Sequence, residues 1–346
     1  MCTKLKKLRE KIESYEEPPS VGIIMHANPD PDCMGAACGM ERLIKSINPE
    51  CQCTLIYSGE ISHPQNKTMV NVLNLTLTHR DDIEKLEDVG EIFITVDVLP
   101  ERCNMKEVPC FLAVDHHKAD TKKAENKDIR QVGSTSAIIW EYLQDAEINL
   151  DSSEEDAIIA TALAIGIRTD TQELTENASE IDFLAYQDLM KKVNQREFKA
   201  INNYPIPPYH FELRKRLDQE ENMIVDSGVF YGGIGYVPPS KRDALATIAD
   251  ERSRVEGTDT AFVFAMVGDF IEVSVRSNGV STDVNVLCQN IFGKDMAGGK
   301  SGAGAAKIPM GYLSVADDEI ELQDVMWKAV RLKLFTKIKE EMSKHR

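Results

Sequence analysis

The chain has 346 residues, enough for about two domains of roughly 100–200 residues each. Its 57 acidic and 40 basic side chains give a formal net charge of −17, which argues against binding long duplex nucleic acid, because such binding depends on Lys and Arg at the phosphates. No apolar run approaches the roughly 18–20 residues of a membrane span, and residues 1–10 are charged, unlike a signal peptide. A cytoplasmic protein without a membrane partner is expected, and its eight cysteines, none in a CxxC pair, are predicted to be free thiols.

Short apolar runs alternate with helical patterns through the first two hundred residues. The predicted strands are residues 21–25, 53–57, 91–97 and 110–115, and the predicted helices are residues 34–47, 136–145, 154–166 and 179–193. Continuous apolar strands separated by helices are typical of a parallel sheet covered on both faces. The predicted fold class of this part is therefore α/β.

The composition changes at residues 202–209, which read NNYPIPPY. We predict a first domain over residues 1–195, a linker over 196–225 and a smaller α/β domain over 226–346. The elements predicted beyond the prolines are a hairpin over 228–237, helices over 244–255, 282–292 and 323–342, a strand pair at 260–267 and 271–276, and a glycine-rich stretch at 298–306.

Carboxylates and imidazoles follow the predicted strands at the points where the strands end. They are His26, Asp30 and Asp32 in the stretch HANPDPDCMG, then Asp97, then Asp115, His116 and His117, and finally Asp170 after a helix. Each alone is a common turn or helix-cap residue. Ligands bind at the carboxyl ends of parallel strands, and clustered carboxylates repel one another unless cations lie among them. The whole set therefore predicts a metal site, in which extended backbone around Pro31 would project Asp30 and Asp32 to the same side.

These motifs resemble a known family. HANPDPD at 26–32, the strand ending in Asp97, DHH at 115–117 and GIRTDT at 166–171 are similar to the motifs of the DHH phosphoesterase superfamily. SVRSNG at 274–279 and the Gly-Gly pair at 298–299 resemble its DHH-associated C-terminal domain. The likeness is greatest to the nanoRNase and pAp-phosphatase branch, which overlaps with cyclic di-AMP phosphodiesterases. It implies a catalytic parallel-sheet domain, a smaller substrate-binding domain and an active site in the cleft between them.

The resemblance implies hydrolysis with two divalent metal ions. The first ion would be held by His26, Asp30 and Asp97, and the second by Asp32, Asp97, His116 and Asp170. Mixed imidazole and carboxylate ligands suit Mn²⁺, while Zn²⁺, Co²⁺ and Mg²⁺ stay open. His117 would contact the scissile phosphate, and Asp115 would orient a neighbouring imidazole.

The same resemblance implies substrate contacts in the second domain. Arg276 and Ser277 would grip a terminal phosphate, and the amides of Gly298 and Gly299 would approach it closely. Lys300 and Ser301 replace the family's usual histidine-containing segment, which leaves the substrate preference open. A P-loop is excluded because the residue five positions before Gly299 is Lys294, where that motif needs glycine.

The function expected is hydrolysis of short oligonucleotides, such as nanoRNA and pApA, or of pAp. Alternatives are a cyclic di-AMP phosphodiesterase, a family-II inorganic pyrophosphatase and a non-catalytic nucleotide sensor. The pyrophosphatase lacks support because no Ser-Arg-Lys-Lys-like run is present, and the sensor because all expected metal ligands are present. A processive exonuclease would need further binding domains. The sequence is compatible with a homodimer but does not require one.

Overall fold

A computed structural model describes residues 3–103, 109–118, 120–278, 283–300, 302–316 and 318–344. The chain divides into two compact units, Met1–Pro205 and Ile206–Arg346. Within the described residues, no helix is long and apolar enough to cross a membrane.

The first unit is built on a six-stranded parallel sheet, so the predicted α/β fold is confirmed. Its strands are β1 (Ser20–Ile24), β2 (Gln52–Tyr57), β3 (Leu77–His79), β4 (Ile92–Val96), β5 (Cys110–Asp115) and β6 (Ala124–Ile129). Its helices are α1 (Thr3–Glu13), α2 (Pro31–Ile47), α3 (Pro64–Val72), α4 (Thr135–Asp145), α5 (Glu154–Asp170), α6 (Glu180–Leu189) and α7 (Gln195–Asn202). Every residue of β4 and β5 is buried, as their continuous apolar sequences predict.

The strand order β3-β2-β1-β4-β5-β6 contains a topological switch point between β1 and β4. From β1 the chain runs outward to β2 and β3, and it then returns to the other side of β1 as β4. A crevice opens at the carboxyl ends of the strands at such a point, and parallel-sheet proteins bind their ligands there. The residues that follow β1 and β4 therefore share the edge where a ligand site is expected.

The contact between α2 and α5 holds part of this edge in place. A Cβ atom on Gly35 would lie 2.6 Å from the carbonyl oxygen of Ala162, and one on Gly166 would lie 2.9 Å from the Cα of Asp32. The two helices therefore meet backbone to backbone. Because of this close approach, the position of Asp32 depends on glycine in the facing helix.

Replacing Gly35 by alanine is expected to lower the free energy of unfolding by roughly 1–3 kcal/mol, because the Ala162 carbonyl cannot move aside without separating the helices. Alanine in a helix is otherwise more favourable than glycine, so the sign of the change is informative. Urea denaturation followed by circular dichroism measures the effect. Gly298→Ala is the control, since its nearest neighbour outside the adjoining residues would be 3.7 Å away. An unchanged midpoint for Gly35→Ala would show that the helices separate freely.

The second unit contains a mixed six-stranded sheet in the order β11-β12-β10-β9-β8-β7. Its strands are β7 (Met223–Asp226), β8 (Val229–Tyr236), β9 (Thr260–Val267), β10 (Phe270–Ser277), β11 (Ala297–Gly299) and β12 (Ala303–Pro309). Its helices are α8 (Pro208–Leu217), α9 (Ala244–Ser253), α10 (Val284–Phe292) and α11 (Ile320–Lys344). Only β8 and β9 run parallel; the other neighbours are antiparallel. The predicted strand pair is confirmed as β9 and β10.

The hairpin predicted within residues 228–237 is wrong in its position. Residues 229–236 form one strand, and its partner β7 precedes them across a turn at Ser227 and Gly228, both with positive φ. Within β8, Gly233 leaves room for the ring of Trp327. The glycine serves packing rather than a change of chain direction.

Most of the predicted linker has regular structure. Residues 196–225 contain nearly all of α7, the whole of α8 and part of β7, and only residues 204–207 between the two helices are irregular. Phe198 and Ile201 pack into the core of the first unit, whereas Leu213 and Leu217 pack into the second. The prolines end one helix pattern and start the next.

Candidate metal centre

Asp97 lies in the middle of the predicted metal ligands. It directly follows β4 with a left-handed backbone (φ 57), and its amide donates to the carbonyl of Val114 in β5 at 2.9 Å. Left-handed backbone is uncommon outside glycine but is tolerated best by Asp and Asn, and it concentrates at functional sites. The side chain is only 4% exposed. This turn directs the carboxylate into the crevice at the switch point.

The two oxygens of Asp97 face different imidazoles. Oδ2 lies 3.7 Å from Nε2 of His26, and Oδ1 lies 3.5 Å from Nε2 of His116. Asp30 completes the side of His26, with Oδ1 3.7 Å from the same Nε2. A carboxylate placed between two imidazoles is suited to contact two cations, one through each oxygen.

His116 belongs to a second donor cluster with Asp32 and Asp170, whose ligand atoms lie within 4.8 Å of one another. Its Nε2 is 3.1 Å from Oδ2 of Asp170, and its Nδ1 is 3.1 Å from the carbonyl oxygen of Val132. Since a carbonyl only accepts, Nδ1 carries the proton in this contact. The neutral ring then presents an unprotonated Nε2, which is the form that binds a metal.

The expected extended backbone is observed at Asp30 but ends there, because the chain is helical from Pro31 onward. Helix α2 begins at Pro31, and Asp30 is its N-cap, with Oδ1 accepting from the amide of Cys33 at 3.0 Å. Proline at the first helical position fits this start, because its φ is already helical and it has no N–H to satisfy. The helix start, rather than an extended strand, sets the directions of Asp30 and Asp32.

Asp32 is held by the beginning of α4. Its Oδ2 accepts from the amide of Thr135 at 2.7 Å, and its Oδ1 accepts from the amide of Ser136 at 2.9 Å. The hydroxyl of Thr135 donates to Oδ1 of Asp97 at 2.9 Å. The start of α4 thus positions two predicted metal ligands, Asp32 and Asp97. The sequence gives no indication of this role.

Burial raises the pKa of the central carboxylates. It brings Asp32 to about 6 even though His116 opposes the rise. Burial also raises the pKa of Asp97 well above its usual range, and the like charges of the surrounding carboxylates add to the effect. Uncompensated negative charge in a buried site is costly. The observed donors, carboxylate oxygens and imidazole nitrogens, therefore fit divalent cations, which would remove that cost.

Asp115 contacts His117, which also forms a donor cluster with Asp97 and His116. Oδ1 of Asp115 is 2.8 Å from Nδ1 of His117 and accepts from its backbone amide at 3.0 Å. Burial opposes ionisation of Asp115, but the hydrogen bonds from His117 outweigh it and lower the pKa. The imidazole that Asp115 contacts is thus His117, whose side chain is 42% exposed. Nδ1 of His117 is also 3.8 Å from Oδ1 of Asp97.

Thr135→Val is expected to reduce hydrolysis by about 10–100-fold with little change in folding, because the isosteric side chain removes only the hydrogen bond that orients Asp97. Steady-state kinetics with saturating metal measure the effect. Thr135→Ser is the matched variant, since it retains the hydroxyl and should recover most of the activity. Equal losses in both variants would mean that Thr135 acts through packing and not through this bond.

The substrate residues predicted in the second unit lie at one end of its sheet. Arg276 in β10 pairs in register with Ala303 in β12. Nε of Arg276 is 2.7 Å from Oδ1 of Asp250, and its Nη1 donates to the hydroxyl of Ser274 at 3.2 Å. The hydroxyl of Ser277 is 2.9 Å from that of Thr260. Arg276 would have to share its guanidinium between Asp250 and a phosphate.

The glycine-rich stretch is a β-hairpin formed by β11 and β12. The amide of Gly299 donates to Oδ1 of Asn285 at 3.0 Å, and the amide of Lys300 donates to the carbonyl of Ala303 at 2.8 Å. Both amides therefore donate hydrogen bonds to acceptors within the second unit and not to a phosphate. Ser301 lies outside the described residues.

A cavity of about 520 Å³ opens beside the hairpin, in contact with Ser274 and Gly298. Its wall combines three basic side chains, Arg242, Lys294 and Lys307, with three acidic ones, Asp243, Glu272 and Asp295. Arg242 is 3.1 Å from Glu272. The size of the cavity suits a small ligand, and the charges of its wall balance.

Buried carboxylates and imidazoles at the switch point of a parallel sheet define a metal-dependent hydrolase. The model of the DHH family, N-terminal domain, matches residues 20–167. An uncharacterised protein of Methanocaldococcus jannaschii is 30% identical over 344 residues, which are 98% of this chain and 68% of that protein. The chain belongs to the DHH family and is a metal-dependent phosphoesterase.

Two further similarities extend this assignment. An A-adding tRNA nucleotidyltransferase of Aquifex aeolicus is 26% identical over 237 residues, or 66% of this chain and 28% of that protein. The crystal structure of an exopolyphosphatase-related protein from Bacteroides fragilis is similar with a TM-score of 0.69 at 14% identity, covering 95% of this chain and 98% of that one. At this identity the likeness shows a shared fold along nearly the whole chain.

Proposed function

We propose that this phosphoesterase hydrolyses very short nucleotides, such as pAp, pApA and nanoRNA, with two divalent metal ions, of which Mn²⁺ suits the ligands best. The observation that carries the proposal is a chain of three donor clusters at the switch point. The cluster of Asp97, His116 and His117 shares Asp97 with the cluster around His26, and it shares His116 with the cluster of Asp32 and Asp170. The shared carboxylate is what a two-ion site requires. Phosphoester hydrolysis is the chemistry that such a site performs most widely.

The proposed ligands divide between the two ions. His26, Asp30 and Asp97 would hold the first, and Asp32, Asp97, His116 and Asp170 the second. Bound there, two divalent ions supply Lewis acidity, which lowers the pKa of a water molecule and neutralises charge on the phosphate. The chain's own contribution is to orient the donors through the start of α4 and the backbone carbonyl of Val132.

His117 would act on the substrate directly. Its Nδ1 is held by Asp115, so in the neutral ring Nε2 lacks the proton, and in the charged ring Nε2 can donate. We propose that the charged ring contacts the scissile phosphate and stabilises negative charge that develops there. The pKa of Asp115 is lowered, so its carboxylate is ionised and can hold Nδ1 of His117.

Two features support a short substrate. The net charge of −17 repels long polyanions, and long single strands need a continuous basic track. The cavity in the second unit is limited in size, with three basic and three acidic side chains in its wall. We propose that it binds a small ligand and not a long strand. The nucleotidyltransferase similarity adds support for a nucleotide substrate, through the name of that relative alone.

The test is hydrolysis by the purified full chain with Mn²⁺. The substrates are pAp, pApA, cyclic di-AMP, a 24-residue oligonucleotide and pyrophosphate. Cleavage of pAp or pApA well above the others is the expected result, absent in Asp97→Asn and retained in Asp151→Asn, an exposed aspartate in the same unit. Preference for cyclic di-AMP or for pyrophosphate would overturn the proposed substrate class. Binding of pAp without turnover would make the protein a sensor.

A further inference from the structure

A thiol belongs to the donor cluster that contains His26 and Asp97, here called the first cluster. The Sγ atom of Cys33, a ring nitrogen of His26 and a carboxylate oxygen of Asp97 are all within 4.8 Å of one another. Cys33 is fully buried, and its thiol donates to the carbonyl oxygen of Val96 at 3.4 Å. A sulfur ligand was not anticipated from the sequence, where Cys33 is one of several scattered cysteines.

The position of this thiol is fixed by the elements that fix the other ligands. Cys33 lies in the first turn of α2, where its amide is capped by Asp30, and Val96 is the last residue of β4 before Asp97. The sulfur is therefore held between a helix start and a strand end that each supply a proposed metal ligand. Bonds from these ligand atoms to zinc would be roughly 2.0–2.3 Å long. Small side-chain adjustments would bring the three atoms to that distance from one ion.

The thiol makes the two clusters chemically different. Asp32, His116 and Asp170 offer only oxygen and nitrogen, whereas His26, Asp97 and Cys33 also offer sulfur. Thiolate ligands favour Zn²⁺, Co²⁺ and Cd²⁺ over Mn²⁺ and Mg²⁺, which prefer oxygen. The first position should therefore discriminate among metals in a way that the second does not.

We infer that Cys33 is an additional ligand at the first metal position and makes that position select a borderline or soft ion such as Zn²⁺ or Co²⁺. The inference rests on the metal centre of the proposed function, and it limits the Mn²⁺ preference proposed there to the second metal position. On binding, the thiol releases its proton and gives up its hydrogen bond to Val96, and the metal–sulfur bond replaces both. A preparation loaded only with Mn²⁺ would leave this ligand unused.

Optical titration of the metal-free full chain with Co²⁺ tests the inference. Ligation by Cys33 is expected to produce a sulfur-to-cobalt charge-transfer band in the near ultraviolet. The band should disappear in Cys33→Ser and persist in Cys38→Ser. Cys38 is a matched control because it lies on the same helix, is 6% exposed and lines a different cavity with Cys53 and Leu55. Circular dichroism confirms that each variant is folded.

A second readout is the metal preference measured by equilibrium dialysis. Cys33→Ser is expected to weaken Zn²⁺ binding by about tenfold or more, while Mn²⁺ binding changes much less. Co²⁺ bound by the wild-type protein without a sulfur band would overturn the role of Cys33 alone. No Co²⁺ bound at all would overturn the metal centre as well. The wild-type spectrum decides between these outcomes even if Cys33→Ser does not fold.

Discussion

Asp97→Asn is expected to abolish phosphoester hydrolysis and, at the same time, to stabilise the metal-free protein at pH 8. Loss of the shared carboxylate removes a ligand from both proposed ions, and a loss on the order of 10³-fold or more in kcat is expected, comparable to deleting an electrostatic stabiliser of a transition state. Stability should change in the opposite direction, because the raised pKa of Asp97 reports that burial and neighbouring carboxylates disfavour its charge. Asparagine has no charge and tolerates the left-handed backbone observed at this position.

Kinetics with Mn²⁺ and thermal unfolding in EDTA measure the two effects on the same preparations. Asp151→Asn serves as the control for both, since that aspartate is exposed. If the activity and the metal-free stability of Asp97→Asn fell together, Asp97 would be a structural residue whose loss disturbs the fold.

The metal-free protein is expected to lose stability as the pH rises from about 4 to about 6, and divalent metal should reverse the loss. Asp32 has its pKa raised from 3.8 to about 6 by burial. Well below pH 4 this carboxyl is protonated in both the folded and the unfolded chain. Between the two pKa values the carboxyl is ionised in the unfolded chain but still protonated in the folded chain. The free energy of unfolding therefore falls as the pH rises, and the fall is complete above pH 6. For Asp32 alone, the free energy of unfolding falls by roughly 3 kcal/mol, because each unit of pKa shift corresponds to about 1.36 kcal/mol.

The measurement is the unfolding temperature at pH 5, 6, 7 and 8, in EDTA and in Mn²⁺. The increase in Tm caused by metal should be larger at pH 8 than at pH 5, because protons compete with cations for the same carboxylates. Calcium in place of Mn²⁺ indicates whether imidazole ligands matter, since Ca²⁺ prefers oxygen. A metal effect independent of pH would place the bound ion away from Asp32 and Asp97.

Much of the first unit was predictable because its central strands are buried on both faces and read as apolar runs. Elements outside that pattern were missed. β3 has only three residues, and β6 reads AENKDI, the half-exposed pattern of an edge strand. The basic helix α1 was missed as well, although Leu5, Leu8 and Ile12 give it an apolar face.

The proposed metal ligands drew attention in the sequence for a different reason: most of them lie at or near the end of an element that was visible there. The contacts that orient them were not predictable. The bond from Thr135 to Asp97 joins residues 38 positions apart, and those from Asp32 to α4 join residues more than 100 apart. Local patterns carry no information about such pairs. Extended backbone was also expected through Asp32, whereas it is observed at Asp30 only and Pro31 starts a helix.

The chain order of the sheet has a consequence for how the protein is made. The ligands nearest the N-terminus follow β1, but Asp170 lies at the end of α5, the helix that packs on α2 through Gly35. A ribosome adding about 5–20 residues per second needs roughly 7–30 s to pass from residue 26 to residue 170. During that interval the emerging chain carries histidines and carboxylates without their partners. Fragments that stop before α5 lack Asp170 and therefore cannot build the second cluster.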